Sequence, residues 1–158
     1  RTFSKAWGLA GLRVGNALAC PEVVEILDRI RDSDNVNRLS QAGALAALGQ
    51  RQWYGERVEQ IRQTRDRVRQ ALLQLNWQVY PSEANFLFGR PVHPQDSSGS
   101  PACASGLFAF LRDRRILFRF FPGHPLTASG VRISIGTDLE METFMEGVEA
   151  WNQSALAK

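Results

Sequence analysis

The chain has 158 residues, 44% of them hydrophobic and 22% charged, and carries a formal net charge of +3. That length can bury a sizeable core, and so mild a basic excess does not call for a nucleic-acid partner. No run of about twenty apolar residues offers a membrane span, and no signal peptide is visible. Cys20 and Cys103 are the only cysteines and lie far apart, so both are read as reduced thiols of a cytoplasmic protein. His93 and His124 lack metal-ligand spacing and are read as loop residues, with no metal expected.

Residues 1–19 read as a loop around Lys5 followed by a short strand from Leu12 to about Ala19. Gly8, Gly11 and Gly15 allow backbone shapes closed to other residues. Pro21 suits a first helical position, and Val23, Ile26, Leu27 and Ile30 then recur at helical spacing. Residues 31–37 form a connector. Helix resumes near Leu39, with Ala42, Leu45, Ala46 and Leu48 as its apolar positions, and Gly49 interrupts it. A long helix from about Gln52 to Leu75 carries Val58, Ile61, Val68, Leu72 and Leu75 as its buried stripe. Its many arginines alternate with Glu56, Glu59 and Asp66, which reads as a solvated face with local ion pairs.

Strands follow at Trp77–Tyr80 and Asn85–Phe88. Residues 91–103 hold three prolines and three serines and read as a mobile loop. A helix from about Ala104 to Arg114 is expected to bury Leu107, Phe108, Phe110 and Leu111. Further strands are predicted at Ile116–Phe121 and Val131–Ile135. A last helix opens at Thr137 with Glu140 three residues on, the pattern of a capping box, and packs through Leu139, Phe144, Val148 and Trp151. The fold class is α/β.

The first fifteen residues are the most informative: Arg1-Thr2-Phe3-Ser4-Lys5-Ala6-Trp7-Gly8-Leu9-Ala10-Gly11-Leu12-Arg13-Val14-Gly15. A crowded lysine can lose its proton and attack a carbonyl. Thr2 and Ser4 add hydroxyls, and Arg13 adds a fork of donors suited to phosphate oxygens. A Schiff-base lysine beside a phosphate clamp is what pyridoxal phosphate requires. Two arginines near the other end also stand out. In Val131-Arg132-Ile133-Ser134-Ile135 the apolar residues fall on one face and Arg132 with Ser134 on the other. Arg119 interrupts an otherwise apolar run, Ile116 to Phe121, which leaves it either snorkelling or bound to an anion.

The lysine segment, S-K-A-x-G-L-A-G-L-R-V-G, resembles that of fold-type I pyridoxal-phosphate aminotransferases, and more narrowly of histidinol-phosphate aminotransferases. The stretch from Arg115 to Arg119, with Arg132-Ile133-Ser134-Ile135-Gly136-Thr137, is similar to a second pair of motifs in the same family. Asn16, Trp7 and residues 33–37 depart from its usual pattern. The resemblance implies the end of a large domain plus an α/β small domain, with residues 1–50 in the large cofactor-binding domain. Residues 51–75 are then an interdomain helix and 76–158 the small domain. It implies Lys5 as the catalytic, cofactor-bearing lysine, and Thr2, Ser4 and Arg13 as ligands of the pyridoxal 5'-phosphate group. Asn85, Arg119 and Arg132 become substrate-binding residues, with the two arginines gripping carboxylate or phosphate. Transamination between histidinol phosphate and 2-oxoglutarate by a homodimer follows, with this chain as a C-terminal part that is inactive alone. An aromatic amino-acid aminotransferase, a threonine-phosphate decarboxylase or a non-catalytic remnant are the alternatives.

Overall fold

Where a strand is expected from Leu12 to Ala19, only an isolated antiparallel bridge forms, between Thr2 and Gly15. The computed structural model describes residues 1–154, and the chain divides into two units, Arg1–Val58 and Glu59–Lys158. In the first unit the bridge closes a loop that contains Lys5 and a short 3-10 turn, Ala10–Leu12. Helix α1 (Pro21–Ile30) begins at its proline as predicted, and α2 (Arg38–Gly49) is capped by the Asn37 side chain, which accepts from the Ser40 amide. The predicted stripe of α1 exists but is not covered: Val23, Ile26, Leu27 and Ile30 are all exposed, as is Val24. In α2 the buried side carries Ser40, Ala44 and Ala47, while Leu39, Leu45 and Leu48 face outward. Small residues therefore make the close contacts, contrary to the apolar positions read from spacing.

Helix α3 (Arg51–Gln74) follows after the break at Gly49–Gln50. It ends in a left-handed residue, Asn76 at φ 62°, with the Trp77 amide returning to the Leu72 carbonyl at 3.1 Å. The second unit is a four-stranded antiparallel sheet, β1 (Gln78–Val79), β2 (Phe86–Arg90), β3 (Arg119–Phe120) and β4 (Val131–Ser134), in the order β1-β2-β4-β3. Helices α4 (Pro101–Asp113) and α5 (Asp138–Asn152) complete it. Val79, Leu87, Val131 and Ile133 join Val68, Leu72, Leu107, Leu111, Phe144, Val148 and Trp151 in one core. Each such side chain removed from water contributes roughly 1.5–3 kcal/mol. The capping box at Thr137 and Glu140 forms as the sequence indicated, with the Thr137 amide donating to the Glu140 carboxylate at 2.7 Å. Leu139, expected in the packed face of α5, is exposed instead, because it lies on the first turn ahead of Met141 and Phe144, which turn inward. No helix among the described residues is long and apolar enough to cross a membrane.

The 91–103 segment is braced rather than loose. His93 is fully buried, receives the Gln95 amide on Nδ1 at 3.1 Å, and so presents Nε2–H to the Trp151 carbonyl at 3.1 Å. Asp96 accepts from the Ser100 hydroxyl at 2.6 Å and from both the hydroxyl and amide of Ser98. These bonds, that of Ser100 foremost, hold its carboxyl far below the usual carboxylate range. The Cys103 thiol, pushed up by burial and by Asp96, donates to the same carboxylate at 3.3 Å. Helix α4 accordingly starts three residues early, at Pro101, with Ser100 as its cap.

Because the Asp96 carboxyl is depressed in the folded chain, its contribution is present above the unfolded value near 4 and is lost as pH falls through the folded one. Asp96→Asn is expected to be less stable than the parent at pH 7. The gap between their urea midpoints should shrink below about pH 4, as denaturation curves across that range would read.

Candidate functional site

The amine segment is built by short-range bonds around one buried ring. Phe3 is buried, its amide donating to Val14 at 3.1 Å and its carbonyl accepting from Leu9 at 3.0 Å. Lys5 sits in the bend above it and is exposed, with the Gly8 amide returning to its carbonyl at 2.9 Å. Gly8 makes that return at φ +67°, and a Cβ on Gly15 would lie 2.7 Å from the Arg1 carbonyl, so both positions require glycine. Trp7 packs on Phe3 and on Tyr54 of α3, with centroids at 5.6 and 4.7 Å.

The Thr2 hydroxyl oxygen accepts from the Ser4 amide at 3.0 Å, which leaves its own proton for another acceptor. Arg13 takes the left-handed conformation at φ 52° and gives one arm to the Ala10 carbonyl at 3.0 Å. Among the described residues neither Arg13 nor Lys5 forms an ion pair. Two hydroxyls, one amine and a guanidinium with unspent donors on one closed loop fit a ligand that brings an aldehyde and a phosphate. Ser40, which the sequence reading passed over, anchors this loop: its buried hydroxyl donates to the Leu12 carbonyl at 2.7 Å, one residue before Arg13.

The two arginines singled out above lie in the second unit. Arg119 and Arg132 are direct partners across β3 and β4, so they share one face of the sheet. Like charges placed so are unfavourable without an anion between them. Neither is ion-paired among the described residues. The Arg132 guanidinium carbon lies 5.4 Å from the Phe86 ring centroid and 5.9 Å from that of Phe121, with Nε buried and unbonded. Arg119 is exposed, so the desolvation argument that singled it out does not hold; strand alternation turns it away from its apolar neighbours.

Strand β3 pairs over two residues only, short of the predicted Ile116–Phe121. Beside it a cleft of about 680 Å³ opens, lined by Leu117, Phe118, Arg119, Ile135 and Leu139. Asn85 is exposed at the head of β2, and its carbonyl accepts from the Ile135 amide at 2.9 Å. No cluster of three or more metal-ligating side chains occurs among the described residues.

These features can be set beside known proteins. Solved structures with the same α/β architecture include the histidinol-phosphate aminotransferase of Sinorhizobium meliloti in complex with pyridoxal-5'-phosphate. It matches with a TM-score of 0.80 at 27% identity over 97% of this chain and 40% of its own. The fold is thus that of the fold-type I aminotransferases. Residues 1–148 match the family aminotransferase class I and II, and the chain belongs to that family. Among curated relatives, the histidinol-phosphate aminotransferase of Geotalea uraniireducens (strain Rf4) is 46% identical over 148 residues, 94% of this chain and 40% of its own. That of Microcystis aeruginosa (strain NIES-843 / IAM M-2473) is 41% identical over 149 residues, 94% and 40%. The chain therefore spans about 40% of the length of these relatives.

Ser40→Ala is expected to cost about 1 kcal/mol, the usual worth of one buried hydrogen bond. Denaturant unfolding would measure it, and faster hydrogen exchange at the Phe3 amide would locate the loss in the Lys5 loop.

Proposed function

We propose that the chain forms the C-terminal part of a pyridoxal-phosphate aminotransferase that exchanges an amino group between histidinol phosphate and 2-oxoglutarate. The observation that carries the reading is Arg119 standing directly opposite Arg132 with no carboxylate bound to either. Phosphate and carboxylate both accept paired guanidinium bonds, so one clamp serves both half-reactions. The names of the relatives and the fit of the Lys5 loop to a phosphate-bearing aldehyde support it further.

On this reading Lys5 is the residue to which the cofactor attaches, and Thr2, Ser4 and Arg13 hold its phosphate. When bound, pyridoxal phosphate supplies an electron sink for the electrons released at the substrate α-carbon. The Lys5 amine would move a proton between that carbon and C4′ of the cofactor. Arg119 and Arg132 grip the anionic end of the substrate, and Asn85 orients it by hydrogen bonding. Residues 1–50 belong to a cofactor-binding domain, 51–75 to a connecting helix and 76–158 to a small domain. The activity is proposed for a cytoplasmic homodimer of polypeptides of the relatives' full length, with small molecules as its ligands.

Borohydride reduction of the full-length protein with pyridoxal phosphate, followed by peptide mass spectrometry, tests the assignment. The adduct is expected on Lys5 and is lost in Lys5→Ala, together with at least about a hundredfold in transamination rate. Arg119→Ala should raise KM for a phosphate-bearing amine about tenfold or more. An adduct on another residue would overturn the reading.

A further inference from the structure

Among the arginines of α3, Arg65 does not belong to the solvated face. It falls in phase with Ile61, Val68 and Leu72, and its side chain is only 7% exposed. A guanidinium at that depth is costly unless its arms are satisfied. Nε lies 3.2 Å from the Asp66 carboxylate on its own helix. The other two arms go to one loop: Nη1 donates to the Ala84 carbonyl at 3.2 Å, and Nη2 lies 3.6 Å from the Glu83 carboxylate.

That loop, residues 81–85, is otherwise tied within itself and to β4. The Ser82 hydroxyl donates to the Phe86 carbonyl at 2.6 Å and accepts from the Ala84 amide at 3.1 Å. The Asn85 carbonyl accepts from Ile135 at 2.9 Å. Asn85 comes directly after the carbonyl that Arg65 holds and directly before Phe86, the ring on which Arg132 rests.

We infer that Arg65 is a positioning residue. It acts through the Ala84 carbonyl to fix the loop, and so sets where Asn85 stands at the head of β2. The functional half of this inference rests on Asn85 being a substrate-binding residue, as proposed above. Lysine is no substitute: a single ammonium lacks the planar fork that reaches the carbonyl, Glu83 and Asp66 together.

Native-state hydrogen exchange on the 158-residue chain carrying Arg65→Lys reads the loop without reference to any reaction. The Ile135 amide, whose acceptor is the Asn85 carbonyl, is expected to exchange roughly tenfold faster, with Leu87 and Val148 unchanged. An unchanged Ile135 rate overturns the inference. So does uniform acceleration that includes Leu87 and Val148, since Arg65 would then be a general brace of the fold. In the loaded full-length enzyme, Arg65→Lys and Asn85→Ala should each lower kcat/KM about tenfold, and together little more than either alone. Full additivity overturns the link through Asn85. Faster exchange at Ile135 combined with a silent Asn85→Ala refutes the role given to Asn85 and supports the hold of Arg65 on the loop.

Discussion

The period of two along β4 is the constraint on which the second unit depends. Val131 and Ile133 point into the core, where they meet Leu87 of β2 and the inward faces of the helices. Arg132 and Ser134 therefore lie on the opposite face. A shift of one residue in register would bury the arginine and expose two large apolar side chains. The same register sets Arg132 opposite Arg119 on β3 and Phe88 on β2. Core and arginine face are thus one structural fact seen from its two sides.

Elsewhere the chain is tied down by polar side chains, some of them buried. Thr64 Oγ1 donates to Asp138 at 2.8 Å, and Arg67 pairs with the same carboxylate, so α3 also grips the start of α5. His93 and Asp96 do the like for the segment that leads into α4. In the first unit Ser40 plays this part for the turn that precedes Arg13. Each device places a donor where an unpaired backbone carbonyl or carboxylate would otherwise be held without a partner.

Most helices and the strand positions were legible in the sequence, because apolar spacing and punctuation by Pro21, Gly49 and Thr137 agree with the local geometry. The face that Arg132 shares with Ser134 was legible from strand alternation, whereas Arg119 was singled out by a burial that the fold does not impose. What was not legible depended on contacts distant in sequence. The 12–19 segment has apolar residues but no partner strand beyond the bridge at Gly15, so it does not become a strand. Residues 116–118 have strand composition but part from β4 before pairing. The bracing of 91–103 rests on Trp151, fifty-eight residues beyond His93. Arg65 could have been found: its spacing to Ile61, Val68 and Leu72 is that of the buried stripe, and only its charge argued otherwise.

The two facing arginines are unequal. The Arg132 guanidinium stands over the rings of Phe86 and Phe121, so its rotamers are already restricted by folding. Arg119 is exposed and free to sample many. Immobilising a long side chain costs about 0.5–1.5 kcal/mol, and in any contact that fixed both guanidinium groups most of that cost would fall on Arg119. Folding has thus already ordered Arg132, whereas the ordering of Arg119 is left to whatever it meets.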